Sequence, residues 1–189
     1  MGFSERELIE LISDRKQELK TGECRIVHTH SESVEYSVEE SNEGIVVNIS
    51  GDIEKEMYLD LMVALAGSGV ERVLLESDGI WLGNGPVPEC VPISDHIACQ
   101  RDNILTGTEA SRKGEAFIDM KGAYEINRGS NSREGFVLWD LGNGLEISDE
   151  ERKVAREAGC VVASSYVVPW VIAAKVAGVW ISAVVRINN

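Results

Sequence analysis

Apolar positions along this chain switch repeatedly between helical and strand spacing. Ser4-Glu5-Arg6-Glu7 has the form of a capping box, and Leu8, Leu11, Ile12 and Leu19 follow at helical spacing until Gly22. Residues 24–30, 33–38 and 45–49 read as strands, with a polar turn over 39–44. Residues 54–66 form a helix with Tyr58, Leu61, Met62 and Leu65 on one side. Gly67-Ser68-Gly69 ends that helix, and so reads as a C-cap rather than a phosphate loop, which would open one. A short buried strand is expected at 73–75, a turn at Gly83-Asn84-Gly85-Pro86 and a strand at 91–94. Residues 98–133 are polar, with one helical turn expected over 119–125. A strand follows at 136–141, and Ser148-Asp149-Glu150-Glu151 is a second capping box opening a helix to Ala158. Near the end, Pro169 starts a helix, Gly178 stops it, and a buried strand follows. Strands alternating with helices predict an α/β fold with a mixed sheet flanked by helices, and residues 1–189 read as a single domain without repeats.

Composition narrows the classes of partner. The formal net charge of −14 repels phosphates over most of the surface, which argues against nucleic acid and anionic membrane. Residues 160–187 are strongly apolar, but Ser164, Ser165, Pro169, Lys175 and Gly178 divide them into strand, helix and strand rather than a membrane span. Cys24, Cys90, Cys99 and Cys160 form no C-x-x-C pair, so reduced buried thiols are expected rather than disulfides or a zinc site. The N-terminus has no basic segment leading into an apolar core, which predicts a cytoplasmic protein. Asn48-Ile49-Ser50 matches a glycosylation sequon but falls in an expected buried strand.

Several segments, taken in order, carry a resemblance. Val168-Pro169-Trp170-Val171-Ile172-Ala173-Ala174-Lys175-Val176-Ala177-Gly178 resembles the V-P-E-V-x-x-A-R-x-x-G segment of trimeric purine nucleoside phosphorylases and methylthioadenosine phosphorylases. Ile93-Ser94-Asp95-His96-Ile97 is similar to I-x-D-H-I-N, with Ala98 in place of the Asn. Residues 117–124 resemble F-x-D-M-x-x-A-Y, and Gly142-Asn143-Gly144-Leu145-Glu146-Ile147 stands where the family has G-P-x-F-E-T. The resemblance is concentrated between Val73 and Asn189. It implies a nucleoside phosphorylase-like fold, and a truncated one: family members continue past the position of Asn189 with further strand, a sugar-contacting His and a C-terminal helix.

The resemblance also implies roles for residues. Glu146 and Asn189 fall where the family grips the purine. Leu145 replaces the base-stacking Phe but keeps an apolar wall, and Ser165 falls where a Met packs near sugar and base. The phosphate side is degenerate. His28-Thr29-His30 stand where a G-S-G loop would hold phosphate. Asp52 and Glu54 replace the family's phosphate-binding Arg and His, and Leu75-Glu76-Ser77-Asp78-Gly79 replaces the small-residue turn around Ser77. Exchanging a favourable charge at about 4 Å for an opposing one costs several kcal/mol even at an effective dielectric near 20, which is orders of magnitude in affinity.

The sequence therefore predicts a homolog that has lost phosphorolysis, a pseudoenzyme serving as a binding or structural subunit and keeping a purine or nucleoside ligand. The implied assembly is a homotrimer or a heteromer with a homologous subunit. The alternative is an active phosphorylase or nucleoside hydrolase with a rearranged phosphate site. Phosphorolysis would need phosphate as co-substrate and a basic residue such as Lys55, Arg101 or Arg128 near the pocket; a hydrolase would use Asp52 and Glu54. No cofactor is implied, and no metal: His28 and His30 share a strand face, but no third ligand stands at a recognisable spacing. Glu146 also fits a solvated acid just before a helix, and His96 fits a structural hydrogen-bonding residue.

Overall fold

The computed structural model describes residues 4–14, 22–41, 44–99, 103–107, 118–125 and 135–187. Helix α1 (Glu5–Asp14) begins as its sequence requires, with Ser4 N–H donating to Glu7 Oε2 at 2.8 Å and Glu7 N–H reaching back to Ser4 Oγ at 3.4 Å. Strands β1 (Glu23–Thr29), β2 (Glu35–Ser41) and β3 (Gly44–Ser50) follow, then α2 (Lys55–Gly67) and β4 (Arg72–Trp81). The remaining elements are β5 (Cys90–Ala98), β6 (Phe136–Asp140), α3 (Asp149–Glu157), β7 (Val162–Ser164), α4 (Val167–Ala177) and β8 (Trp180–Ile187). Ser148 Oγ accepts from Glu151 N–H at 3.1 Å, so the second capping box also forms.

β4 organises the sheet. It pairs in parallel with β1 on one side and with β8 on the other, and its last residues, Ile80 and Trp81, pair antiparallel with β7. β8 runs antiparallel to β5, β5 parallel to β6, and β6 parallel to β7. The path β4–β8–β5–β6–β7 thus returns to β4 as a small closed barrel. The open wing, β1–β3–β2, extends from the other edge of β4. Gly79 sits where β7 and β8 converge on β4. A Cβ there would lie 2.3 Å from Val185 Cγ1 and 2.6 Å from the Ala163 carbonyl oxygen, so only glycine lets both strands approach.

Two apolar clusters result. The larger is capped by α2, through Met57, Tyr58, Leu61, Met62 and Leu65, and by α4, which is buried from Val167 to Val171. Full burial of one such aliphatic side chain is worth about 1.5–3 kcal/mol. The smaller cluster, Leu82, Trp139, Leu141, Ala155, Cys160 and Ala163, lies beneath α3. Arg152 Nη1 donates to Trp81 O at 3.1 Å, Arg156 donates to Leu82 O, and Trp139 Nε1–H donates to Glu151 Oε1 at 2.7 Å, pinning α3 to the barrel.

Some expectations are corrected. The short strand at 73–75 is the start of the ten-residue β4, because β8 and β7 partner the backbone of its polar second half. Within 118–125 there is a tight turn, Ala123 N–H to Met120 O at 3.0 Å, and a bridge from Tyr124 to Ile181 instead of a helical turn. α4 starts two residues before Pro169, which therefore occupies its first turn, and Gly178 caps it at φ 73°. Cys24 and Cys160 are buried, as expected, but Cys90 and Cys99 are exposed; all four are free thiols. No helix of the described residues is long and apolar enough to cross a membrane.

Candidate functional site

Parallel registry brings the carboxyl ends of β1, β3 and β4 to one edge, where ligands of open α/β sheets bind. His28 stands level with Ile49 on β3 and Ser77 on β4, so the peptides that follow, Thr29-His30, Gly51-Asp52 and Asp78, emerge together. The bend after β3 needs Gly51. It has φ 77°, and a Cβ would meet the Ser33 carbonyl oxygen at 2.6 Å. The β7–α4 junction, Ser164-Ser165-Tyr166, comes up beside these ends. Ser164 Oγ donates to Asp78 O at 2.7 Å and lies 3.3 Å from Ser77 Oγ.

Beneath these peptides the space is filled by aromatic rings. His28 is wholly buried; its Nε2 is 2.8 Å from Gly51 O, and Trp170 Nε1–H donates to its Nδ1 at 3.0 Å. Indole can only donate, so Nδ1 accepts, Nε2 carries the proton, and the imidazole is neutral. The Tyr166 ring packs 4.2 Å from that of His28, and Tyr58 meets Trp170 edge-on at 4.7 Å.

Above the rings lies a polar cluster. Tyr166 Oη is 2.9 Å from His30 Nδ1, and His30 N–H donates to Asp78 Oδ2 at 2.9 Å. Burial pushes the Tyr166 hydroxyl well above the usual phenol range, and the neighbouring carboxylates of Asp52 and Asp78 add to the effect. Asp52 and His30 are exposed, Asp78 is buried, and among the described residues no Lys or Arg forms an ion pair with either aspartate. Lys55 turns to Thr106 O at 2.8 Å, while Arg101 and Arg128 lie outside the described residues.

The residues expected to hold the base are close by. Leu145 and Glu146 line an open groove of about 530 Å³ with Ile80, Ile147, Ser148 and Arg152. Ser165 Oγ donates to Gly144 O, which ties this loop to the β7–α4 junction. The structure thus brings Leu145, Glu146 and Ser165 together, and joins Ser77 and Asp52 to the same junction through Ser164 and Tyr166. Glu54 does not join them. It precedes α2 and acts electrostatically on Glu5 and Tyr36, near α1 and β2. Asn189 lies outside the described residues. Among those residues no group of three His, Cys, Asp or Glu is placed to hold a metal ion; His30 faces Tyr166 while His28 is sealed below. Tyr166 and Asp78 are central here although the sequence did not single them out as site residues. Their signal was positional, in that each directly follows an expected site residue, Ser165 and Ser77.

The fold matches solved structures. Schistosoma purine nucleoside phosphorylase in complex with hypoxanthine superposes with a TM-score of 0.73 at 16% identity, over 96% of this chain and 82% of that one. The Schistosoma mansoni enzyme in a complex with BCX-34 gives 0.73 at 16%, over 98% and 86%, and its complex with inosine gives 0.69 at 18%, over 95% and 82%. The chain therefore has the purine nucleoside phosphorylase fold, as its sequence motifs implied. No protein-family model matches the sequence, and no curated protein is recognisably similar to it.

Proposed function

We propose that this chain recognises a purine nucleoside, with the base in the groove of Leu145 and Glu146, and that it has lost phosphorolysis. The observation that carries this reading is the contrast between the two sides of the β7–α4 junction. At the strand ends, where the resemblance places phosphate, Asp52 and Asp78 stand beside Tyr166 without a compensating cation among the described residues. A phosphate dianion close to two carboxylates meets several kcal/mol of repulsion. The groove on the other side is open, apolar on Ile80, Leu145 and Ile147, and polar at Glu146, Ser148 and Arg152, in the pattern of a small-molecule site. The base edge of a purine offers N–H donors to Glu146, and its faces fit aliphatic walls.

Calorimetric titration with inosine and hypoxanthine, alongside inorganic phosphate, tests the reading. Binding of the nucleoside with no measurable phosphate binding is the expected result. Phosphate-dependent release of base would overturn it. Assembly as a homotrimer or with a homologous subunit belongs to the same proposal, and light scattering after size-exclusion chromatography gives its stoichiometry.

A further inference from the structure

We infer that His30 is a general base which delivers water to the sugar of the bound nucleoside, with Tyr166 and Asp52 as its positioning residues. The inference rests on nucleoside recognition in the Leu145–Glu146 groove and adds a reaction to it. Its geometry is a short chain of contacts. His30 Nδ1 lies 2.9 Å from Tyr166 Oη, and the Asp52 and Asp78 carboxylates act on that same phenol. Carboxylates only accept hydrogen bonds, so the phenol proton is drawn toward them, and the phenol oxygen is left to accept from Nδ1–H. That tautomer leaves the lone pair on Nε2 of an exposed residue. The backbone that carries the ring is fixed by Asp78 Oδ2 on the His30 peptide N–H, directly after the end of β1. Ser165, next in sequence to Tyr166, touches the loop that presents Leu145 and Glu146, so base groove and His30 lie on two sides of one junction.

The electrostatics select the nucleophile. Carboxylates that repel phosphate do not repel neutral water, and they stabilise the positive charge that develops on the sugar as a glycosidic bond breaks. In the step, water oxygen bonds to C1′ while its proton passes to His30 Nε2. The C1′–N bond breaks with its electron pair going to the purine. The purine takes up one proton from solvent, and His30 returns its own to solvent. The products are ribose and free base, with no co-reactant besides water.

The test follows ribose and base from inosine, guanosine and adenosine with the full chain, with and without phosphate, from pH 5 to 9. Release independent of phosphate is expected. His30→Gln, at an exposed position, is expected to lower kcat about 10²–10⁴-fold. Tyr166→Phe and Asp52→Asn are expected to lower kcat per folded molecule about tenfold with little change in KM, a split that a merely structural role, which lowers the folded fraction, does not produce. Nucleoside binding without release, or release unaffected by His30→Gln, would overturn the inference and leave the binding proposal standing. Absence of binding and release would overturn both, and release only with phosphate would do the same.

Discussion

Trp170 donates its indole N–H to His28 Nδ1 at 3.0 Å, joining residues 142 apart in sequence across the interface of α4 and β1. The same imidazole is tied to Gly51 O, so one buried ring connects a helix, a strand and the turn that carries Asp52. Trp170→Phe keeps most of the apolar volume but removes that donor. Removing one partner of a buried hydrogen bond costs about 1–3 kcal/mol, and the smaller ring adds a cavity. Urea unfolding should show a lower midpoint at an unchanged slope. A midpoint equal to that of the unaltered protein would mean that the bond contributes nothing.

Thiol chemistry should divide the four cysteines into two pairs. Burial pushes the Cys24 thiol up to about 12 and the Cys160 thiol up to about 11, whereas Cys90 and Cys99 are exposed. Only the thiolate reacts, so iodoacetamide at pH 8 should label Cys90 and Cys99 in the native protein and all four after unfolding. Peptide mass spectrometry reads this directly.

The same shifts set a pH dependence of stability. A thiol whose pKa is raised by folding holds its proton more tightly in the native state, so the stabilisation is complete below the ordinary value of 9.0 and is lost as pH rises toward about 12. Tyr36, raised to about 12 by burial and by Glu5 and Glu54, acts in the same direction from its ordinary value of 10.0 upward. Urea midpoints should therefore fall between pH 9 and 12, and Cys24→Ala should make that fall shallower. A flat profile over the window would count against the burial of both groups.

Local signals account for much of the fold, and their limits are physical. The capping boxes at Ser4 and Ser148, the glycine stop at Gly178 and the apolar runs of β1 and β3 act within a few residues, and each forms where its sequence places it. Glu76-Ser77-Asp78-Gly79 lacks an apolar pattern, yet it continues β4 because β8 supplies ladder partners from more than a hundred residues away. That strand is decided by tertiary pairing, which overrides propensity. At the site, the association of Leu145, Glu146 and Ser165 was legible through family resemblance. The contact of His30 with Tyr166 spans 136 residues and matches none of the quoted motifs, so only the folded chain displays it. Glu54 was grouped with Asp52 by sequence proximity, but as the N-cap residue of α2 it acts on Glu5 and Tyr36, whereas Asp52 acts on Tyr166.

Gly79 tests the barrel closure. Substitution by Ala would put a methyl group 2.3 Å from Val185 Cγ1 and 2.6 Å from the Ala163 carbonyl oxygen. Val185 can shift, but the carbonyl belongs to β7 and cannot move without parting β4 from β7. Overpacking of this kind costs about 1–3 kcal/mol or more. Gly79→Ala should lower the thermal midpoint, whereas Gly159→Ala, with nothing within 4 Å of its added Cβ, separates steric from conformational cost. Gly159 has φ 87°, so its substitution carries only backbone strain. Equal losses at the two positions would argue against crowding at Gly79.

Glu146 and Leu145 give the groove opposite tests. Glu146 is exposed and its side chain holds no structural contact among those described, so Glu146→Gln should change unfolding free energy by less than about 0.5 kcal/mol. A hydrogen bond to a charged group is worth about 1.5–3 kcal/mol, so the same change should weaken inosine binding roughly 10- to 100-fold. Leu145→Phe works the other way. It restores an aromatic wall beside the base, and an aromatic pair adds about 0.5–1.5 kcal/mol beyond area burial, or roughly 2- to 10-fold in affinity. Calorimetry on both variants decides the position of the base. Loss at Glu146 with gain at Leu145 places a purine in the groove, and unchanged affinity in both removes the groove from nucleoside recognition.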